Sequence, residues 1–548
     1  MFLALQYVKS IKTMKTTNLK SVLLAIVSII LMNNTIAQEK LSAQQWQADL
    51  DYLQKQVHEE YPFLFKKITR EAWDKQVADL RAEIPKLAGH EIKAGLSRMV
   101  AAFAYGHTQI PFSTLAKDAV LPVNLYHFKD GIYIEGVHKS HSGILGAKVL
   151  AVNGLPIDDA LAKIRPVVPA ENDQYFKGYG LRFLTVPAVL HAQRITETLQ
   201  QEIRLELEKD GKRFTYSLSA IPLADMSRNY LYTKPNDNWL SVRETGKTPL
   251  YLKHLKDKYF YFELLEGTKT LYVRQSTVFD HPQETLKDFY NRLFEFIDTQ
   301  GVEKLIYDVR LNGGGNNYNN IHFIKGIMAR PKLNKKGNFF FVIGRNTFSA
   351  CQNLTNDVET FTEAILVGEP TAENKNFYGD TKLVQLPNSG IKAYLSFAWW
   401  QDKPQWENAD ATTPNFYAEP TFEEYRSNQD PVLKLIETID PKTDIIDPMA
   451  YFRQLFTEGK LEQLKTDANR IIRDPKYQHI NFEREFSQVG QMLLDQQQYQ
   501  PAAFVFGTFV ENFPKNPSFW KGLGTALKAL GQTQQAEEAF AKAKSLNK

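Results

Sequence analysis

Between residues 245 and 440, short apolar runs alternate with stretches of helical periodicity, and that alternation leaves few folds open. Leu271–Arg274 is a strand-like run. Leu286, Phe289, Leu293 and Phe296 then fall on one helix face. Lys304–Val309, Phe339–Val342 and Ala364–Val367 are further strand-like runs, with a helix expected to start at Ser349. Strands separated by helices pair in parallel through crossovers, and a sheet covered on both faces needs apolar strands of this kind. The pattern predicts an α/β core with a largely buried sheet. Pro387–Gly390 would then turn an antiparallel pair.

A chain of 548 residues exceeds a single hydrophobic core, and 43% hydrophobic residues mark an ordered protein. The flanks divide accordingly. Residues 38–116 read as an N-terminal helical domain. Ser42 and Gln45 form a capping box, and Trp46, Leu50, Leu53 and Val57 recur as one stripe. Trp73, Val77, Leu80 and Ile84 repeat it. Ile92, Leu96, Met99 and Phe103 give a third helix, expected to stop at Gly106. Residues 117–222 read as β-rich, with Asn153-Gly154 as a hairpin turn. Residues 446–548 are helical and self-similar. Gly490, Leu493, Ala502 and Phe506 return 34 residues later as Gly524, Leu527, Ala536 and Phe540. That period resembles tetratricopeptide repeats, and leaves open a protein partner or a purely structural cap.

The N-terminus reads as a signal peptide. Ser21–Met32 is apolar but short for a bilayer span, Lys15 and Lys20 precede it, and Thr35-Ile-Ala37 offers small residues at a cleavage site after Ala37. A periplasmic or secreted protein without a stable membrane anchor is expected. Residues 1–37 carry four lysines and no acid, so the formal charge of +4 falls to zero in the mature chain. That neutrality argues against nucleic acid as a partner. Cys351 is the sole cysteine, which excludes an intrachain disulfide.

Two segments point to chemistry. Ser349, in Arg345-Asn-Thr-Phe-Ser-Ala-Cys-Gln352, stands between a strand and a helix start, where free N–H groups favour developing negative charge. Gly313–Gly315 follow the strand Lys304–Val309 and can present bare backbone N–H groups. No Lys-Ser/Thr follows, so a phosphate cradle is disfavoured and an oxyanion hole is the better fit. Its donors would be Gly313 or Gly314 and the amide of Ala350. Asp308 and Arg310 read as charges that hold the glycine turn, and Cys351 as a buried apolar residue. No paired Cys/His spacing or HExxH occurs in the sequence, so no metal or other cofactor is expected.

The order DVRLNGGG, TFSA, ILVGEPT, closed by QDPV at Asp430, resembles the tail-specific (C-terminal-processing) serine proteases over about residues 42–440. The resemblance implies a multidomain α/β protein: a crotonase-like αβ peptidase core at 245–440, a PDZ-like domain at 117–222, and the helical domain before it. It implies an endopeptidase acting on polypeptides, with Ser349 as nucleophile. The family uses two kinds of base. Tyr105-Gly-His-Thr resembles the branch that uses histidine, implying His107, whereas Lys375 would be the base of a Ser-Lys dyad. Counting back from Pro414, the His-using branch implies Glu407 as the orienting acid, with Asp402 and Asp410 as rivals. Thr371-Ala-Glu-Asn stands where that branch has a double glycine after the threonine, and Pro414-Asn415 where it has Pro-Asp. A catalytically silent binding protein of the same fold remains the alternative function.

Overall fold

The computed structural model describes residues 41–407 and 409–546. The signal-peptide segment 1–37 lies outside them. No helix among the described residues is long and apolar enough to cross a membrane.

The chain opens with helices α1 (Ala43–Glu60), α2 (Arg70–Glu83) and α3 (Gly89–Ala101). The Ser42–Gln45 capping box forms at the start of α1, and the Trp46, Leu50, Leu53 and Val57 stripe is buried. The third helix ends earlier than the glycine predicts. Ala104 takes the left-handed conformation (φ 52°). Gly106 is required for space instead, because a Cβ there would lie 2.4 Å from the Tyr175 ring and 2.8 Å from Phe348.

A β-rich unit follows, with β1 (Val123–Phe128), β2 (Gly131–His138), β3 (Lys148–Val152), β4 (Glu202–Lys209) and β5 (Lys212–Ser219) paired antiparallel in that order. Asn153-Gly154 turns β3 into the short strand Leu155–Pro156, both turn residues at positive φ. Within the stretch read as β-rich, residues 157–192 are instead mostly helical turns that cover this sheet, adding Ile164, Leu184, Val189 and Leu190 to its core.

The central sheet runs β6 (Phe260–Leu264), β7 (Thr270–Gln275), β8 (Lys304–Asp308), β9 (Phe339–Ile343), β10 (Ile365–Gly368), then an edge strand at Phe416–Tyr417. Only β6 is antiparallel to its neighbour. Strand periodicity splits its side chains between two cores. Leu305, Tyr307, Phe339 and Phe341 face α4 (Leu286–Gln300), α5 (Asn320–Met328) and α6 (Ala350–Phe361). Ile306, Phe340 and Val342 join a core that continues into the C-terminal helices, through Phe452, Phe486 and Phe506. There the 34-residue period recurs in packing. A Cβ on Gly490 would lie 2.4 Å from Phe506, and one on Gly524 would lie 2.8 Å from Phe540.

A long hairpin, β11 (Phe377–Gln385) and β12 (Lys392–Trp400), leaves the central sheet and packs on the N-terminal helices. Buried Asp49 of α1 grips its turn, accepting from the N–H groups of Asn388 and Ser389 at 2.8 Å each.

Candidate active site

Register places the site. Asp308 pairs with Val342 and Ile343 with Gly368, so β8, β9 and β10 end level with one another. The three loops that leave these carboxyl ends carry the glycine run, Ser349 and Glu373. Loops at the carboxyl ends of parallel strands are where open α/β sheets bind ligands. The glycine loop is held from below. Arg310 donates to Asp308 and forks onto Asp430 at 2.9 and 3.0 Å, the fixed geometry expected of a bidentate pair.

Ser349 precedes α6 with φ 58° and ψ −131°, a strained conformation for a residue with a side chain. Its Oγ lies 3.0 Å from His107 Nε2, although 242 residues separate them. The hairpin makes this possible. Gln109 and Tyr394 exchange backbone hydrogen bonds of 2.9 Å, and Thr108 Oγ1 donates to Ser396 Oγ at 2.9 Å. The imidazole lies stacked on Phe348 (centroids 4.5 Å apart) and Phe377 (6.0 Å). These rings fix its plane and keep water from its faces. Burial lowers the His107 pKa below the ordinary imidazole value, opposed by the charges of Glu171 and Asp380. The neutral ring is therefore the resting form at neutral pH.

The residue behind the histidine is not the one the sequence indicated. Glu407 is exposed and engaged with Lys66 and Gln401, both at 3.1 Å, which hold its carboxyl below the usual range. Asp402 accepts from Asn353 and Asn356. Asp410 meets Asn172 through its backbone carbonyl. Instead, Glu373 Oε1 lies 3.0 Å from His107 Nδ1, its side chain fully buried. The contact is bent, short of a well-aligned hydrogen bond, and neither atom has another partner. Unliganded catalytic contacts are often poorly aligned and tighten with substrate. Glu373 Oε2 also accepts from the N–H of Ser349 itself. Lys375 donates both of its carboxylate contacts to Glu359, at 2.7 and 2.8 Å, and makes none with Ser349.

No motif in the chain pointed to Glu171. Its carboxyl accepts from the N–H of Gly106 (2.7 Å) and of Asn374 (3.1 Å), the residues next to His107 and Glu373. It thus ties the two loops together. His107, Glu171 and Glu373 bring a ring nitrogen and two carboxylate oxygens within 4.8 Å of one another. Burial, and then the charge of Glu373, pushes Glu171 up to about 8. Burial also raises Glu373, while the Ser349 N–H and the contact with Glu171 hold it down. Two carboxyls this close cannot both ionise at neutral pH. The pair titrates as a unit and keeps a proton at neutral pH, with burial raising both carboxyls.

Of the expected oxyanion donors, Gly314 is unsuited, because its N–H already donates to Asn312 Oδ1 at 2.9 Å. Its importance is steric: a Cβ there would lie 2.6 Å from Ser349 Cβ and 3.0 Å from the Ala350 nitrogen, at φ +100°. The N–H groups of Gly313 and Ala350 have no acceptor among the described residues. The Ala350 N–H opens α6 next to Ser349, where an oxyanion would be stabilised, and Gly313 precedes the glycine packed against Ser349. Cys351 is fully buried in the core beneath, where burial raises its thiol pKa.

Two clusters among the described residues have metal-ligating atoms close together, the one above and His90, Glu91 and His191. In the second, the two imidazoles hydrogen-bond each other at 2.7 Å and Glu91 caps α3 and binds Arg194. Both sets spend their donor atoms on one another or on the chain.

No family model matches the chain, and no curated protein matches it. Among solved structures, it is similar to a serine-to-alanine mutant of CPAF, with 14% identity, 74% of this chain and 99% of that chain covered, and a TM-score of 0.49. It is similar to the photosystem II D1 C-terminal processing protease, with 13% identity, 69% and 93% covered, and a TM-score of 0.33. A putative peptidase from Parabacteroides merdae gives 12% identity, 74% and 99% covered, and a TM-score of 0.35. Likenesses at this level carry no argument about the reaction, which is read from the geometry of Ser349, His107 and Glu373 alone.

Proposed function

We propose that this chain is a serine peptidase that hydrolyses peptide bonds of polypeptides through Ser349, His107 and Glu373. The observation that carries the proposal is the 3.0 Å approach of Ser349 Oγ to His107 Nε2, with Nδ1 turned to a buried carboxylate. With Nδ1 protonated toward Glu373, Nε2 takes the hydroxyl proton as Oγ attacks the scissile carbonyl. The oxyanion forms against the N–H groups of Gly313 and Ala350. His107 then passes its proton to the leaving amine, which departs, leaving an acyl-Ser349 ester. Water, activated by the same imidazole, hydrolyses that ester and restores the hydroxyl. Glu373 orients the Nδ1–H and stabilises the imidazolium.

The arrangement supports membership of the tail-specific protease family, with a crotonase-like core, a PDZ-like unit at 117–222 and tetratricopeptide-like repeats after 446. Export, proposed from residues 1–37, would make its substrates exported polypeptides. Mass-spectrometric digestion of a denatured-protein peptide library tests the activity. Cleavage by the purified chain, lost in Ser349→Ala and His107→Ala, is expected. Unimpaired cleavage by both variants overturns the mechanism. Failure of the unaltered chain to cleave any peptide or to acylate Ser349 with a serine-directed phosphonate favours a binding role.

A further inference from the structure

A cleft of about 880 Å³ opens beside the oxyanion glycines, with Gly313 and Gly314 in one wall and Arg182 and Arg228 among the other lining residues. Guanidinium groups buried elsewhere in this chain spend their N–H groups on the chain: Arg274 donates to the backbone carbonyls of Lys253 and Lys258, and others meet two carboxylates. Arg310 has Asp308 and Asp430, and Arg345 has Glu369 and Glu419. Arg182 and Arg228 break that rule. Neither makes an ion pair among the described residues, and the Nε of each is buried with no hydrogen-bond partner. What Arg182 does contact is an aromatic face, its guanidinium carbon 4.5 Å from the Phe112 ring centre.

The surrounding acids do not answer them. Asp280 lines the same cleft, but it accepts from the Leu286 N–H at 2.8 Å and forms no ion pair with either arginine. Glu135 is fully buried and already receives Asn124, Thr233, Ser241 and Tyr425. Burial lowers both arginines, and the charge of Arg182 further disfavours that of Arg228, pushed down to about 10. Both side chains are half-buried, and two neighbouring like charges with donors unspent favour an anion that joins them. The same cleft holds Asn346, 4% exposed, whose Oδ1 lacks a partner and could accept an N–H from a bound peptide backbone.

We propose that Arg182 and Arg228 form an anion subsite of the substrate cleft, which seats a carboxylate of the polypeptide near the scissile bond. The carboxylate has two sources in a peptide, an acidic side chain or a free C-terminus. The proposal rests on the peptidase assignment for its substrate class, but not for its test.

Full-length Ser349→Ala protein, which cannot turn over, is titrated with fluorescent peptides in matched sets. One set replaces Asp and Glu by Asn and Gln, and a second carries an amidated C-terminus. Loss of one charge-assisted pairing should weaken binding about 10- to 100-fold. The set that shows the loss identifies the source. Arg182→Gln and Arg228→Gln, added to the Ser349→Ala background, should remove that preference while neutral peptides bind as before. Their melting temperatures should stay level or rise, since two neighbouring like charges become one. Equal binding of acidic and neutral twins in both sets overturns the proposal. So does a loss of neutral-peptide binding as large as the acidic loss in the well-folded arginine variants. If the chain cleaves nothing yet the carboxylate preference tracks the arginines, the peptidase assignment fails and the subsite stands. If cleavage depends on Ser349 but ignores peptide charge, the reverse holds.

Discussion

The two halves of the site are held in different ways. Ser349, Glu373 and the glycine loop leave three neighbouring parallel strands whose ends are level, so the sheet itself sets their spacing. His107 belongs to the N-terminal part and reaches Ser349 only because that part docks on β11 and β12. In the proposed mechanism, nucleophile, orienting acid and oxyanion donors share one frame, while the base depends on an interface. Alignment between the halves is therefore the step most open to disturbance, and the bent His107–Glu373 contact sits across it.

The largest effect should come from either partner across that seam. Ser349→Ala and His107→Ala are each expected to lower kcat by about 10⁴-fold or more, and the double variant should be no worse, because the residues act as a unit. Additive losses in steady-state peptide cleavage would show that the halves work separately. Next, Glu373→Gln should lower kcat by about 10³- to 10⁴-fold with an unchanged fold by circular dichroism, as loss of an orienting carboxylate does. Glu407→Gln and Lys375→Met should stay within about 3-fold, since neither touches the site. A collapse of activity in Glu407→Gln would restore the acid that the sequence indicated.

Phe377→Ala tests the interface alone. Phe377 is 1% exposed and stacks on the imidazole from β11. Its loss should destabilise by about 3–5 kcal/mol in a denaturant melt, and a base misplaced by about 1 Å should cost kcat about 10²-fold. A normal kcat in the variant that remains folded would mean the sheet frame, not the docking, holds the base.

The smallest effects are in pH. The proposed mechanism needs neutral His107, whose pKa burial lowers. The acid limb of kcat/KM should thus fall below the ordinary imidazole value of about 6.5. Glu171 has its folded pKa raised to about 8. Its contribution to stability is complete below the ordinary carboxylate range and is lost as pH rises through about 8. Urea midpoints should decline across that window, and Glu171→Gln should flatten the decline. An undiminished decline in Glu171→Gln would put the proton of the acid pair elsewhere.

Ser349 and His107 were legible because each sits inside a short local string, TFSA and GHT. The strand and helix positions of the core were legible from periodicity, since alternate residues such as Ile306 and Tyr307 enter opposite cores. Glu373 was not, because it occupies a place where the resembling branch has glycine. The signal was that departure itself: an acid in the loop after the strand next to the nucleophile's. Glu171 had no local signal at all. Its meaning lies in N–H groups 65 and 203 residues away. The stop at Gly106 failed for a related reason, as the glycine answers Tyr175 and Phe348 rather than its own helix. Contacts between distant segments write residue identities that no window of sequence can explain.

The shared core under β8 and β9 has a mechanical consequence. Phe340 and Val342 on the underside of the nucleophile's strand belong to the same apolar mass as Phe486, Phe506 and Phe519 in the terminal helices. Those helices are the floor of the sheet rather than a tethered appendage. A truncation after residue 440 would strip that floor, and any load applied to the helices would be felt one layer below the serine.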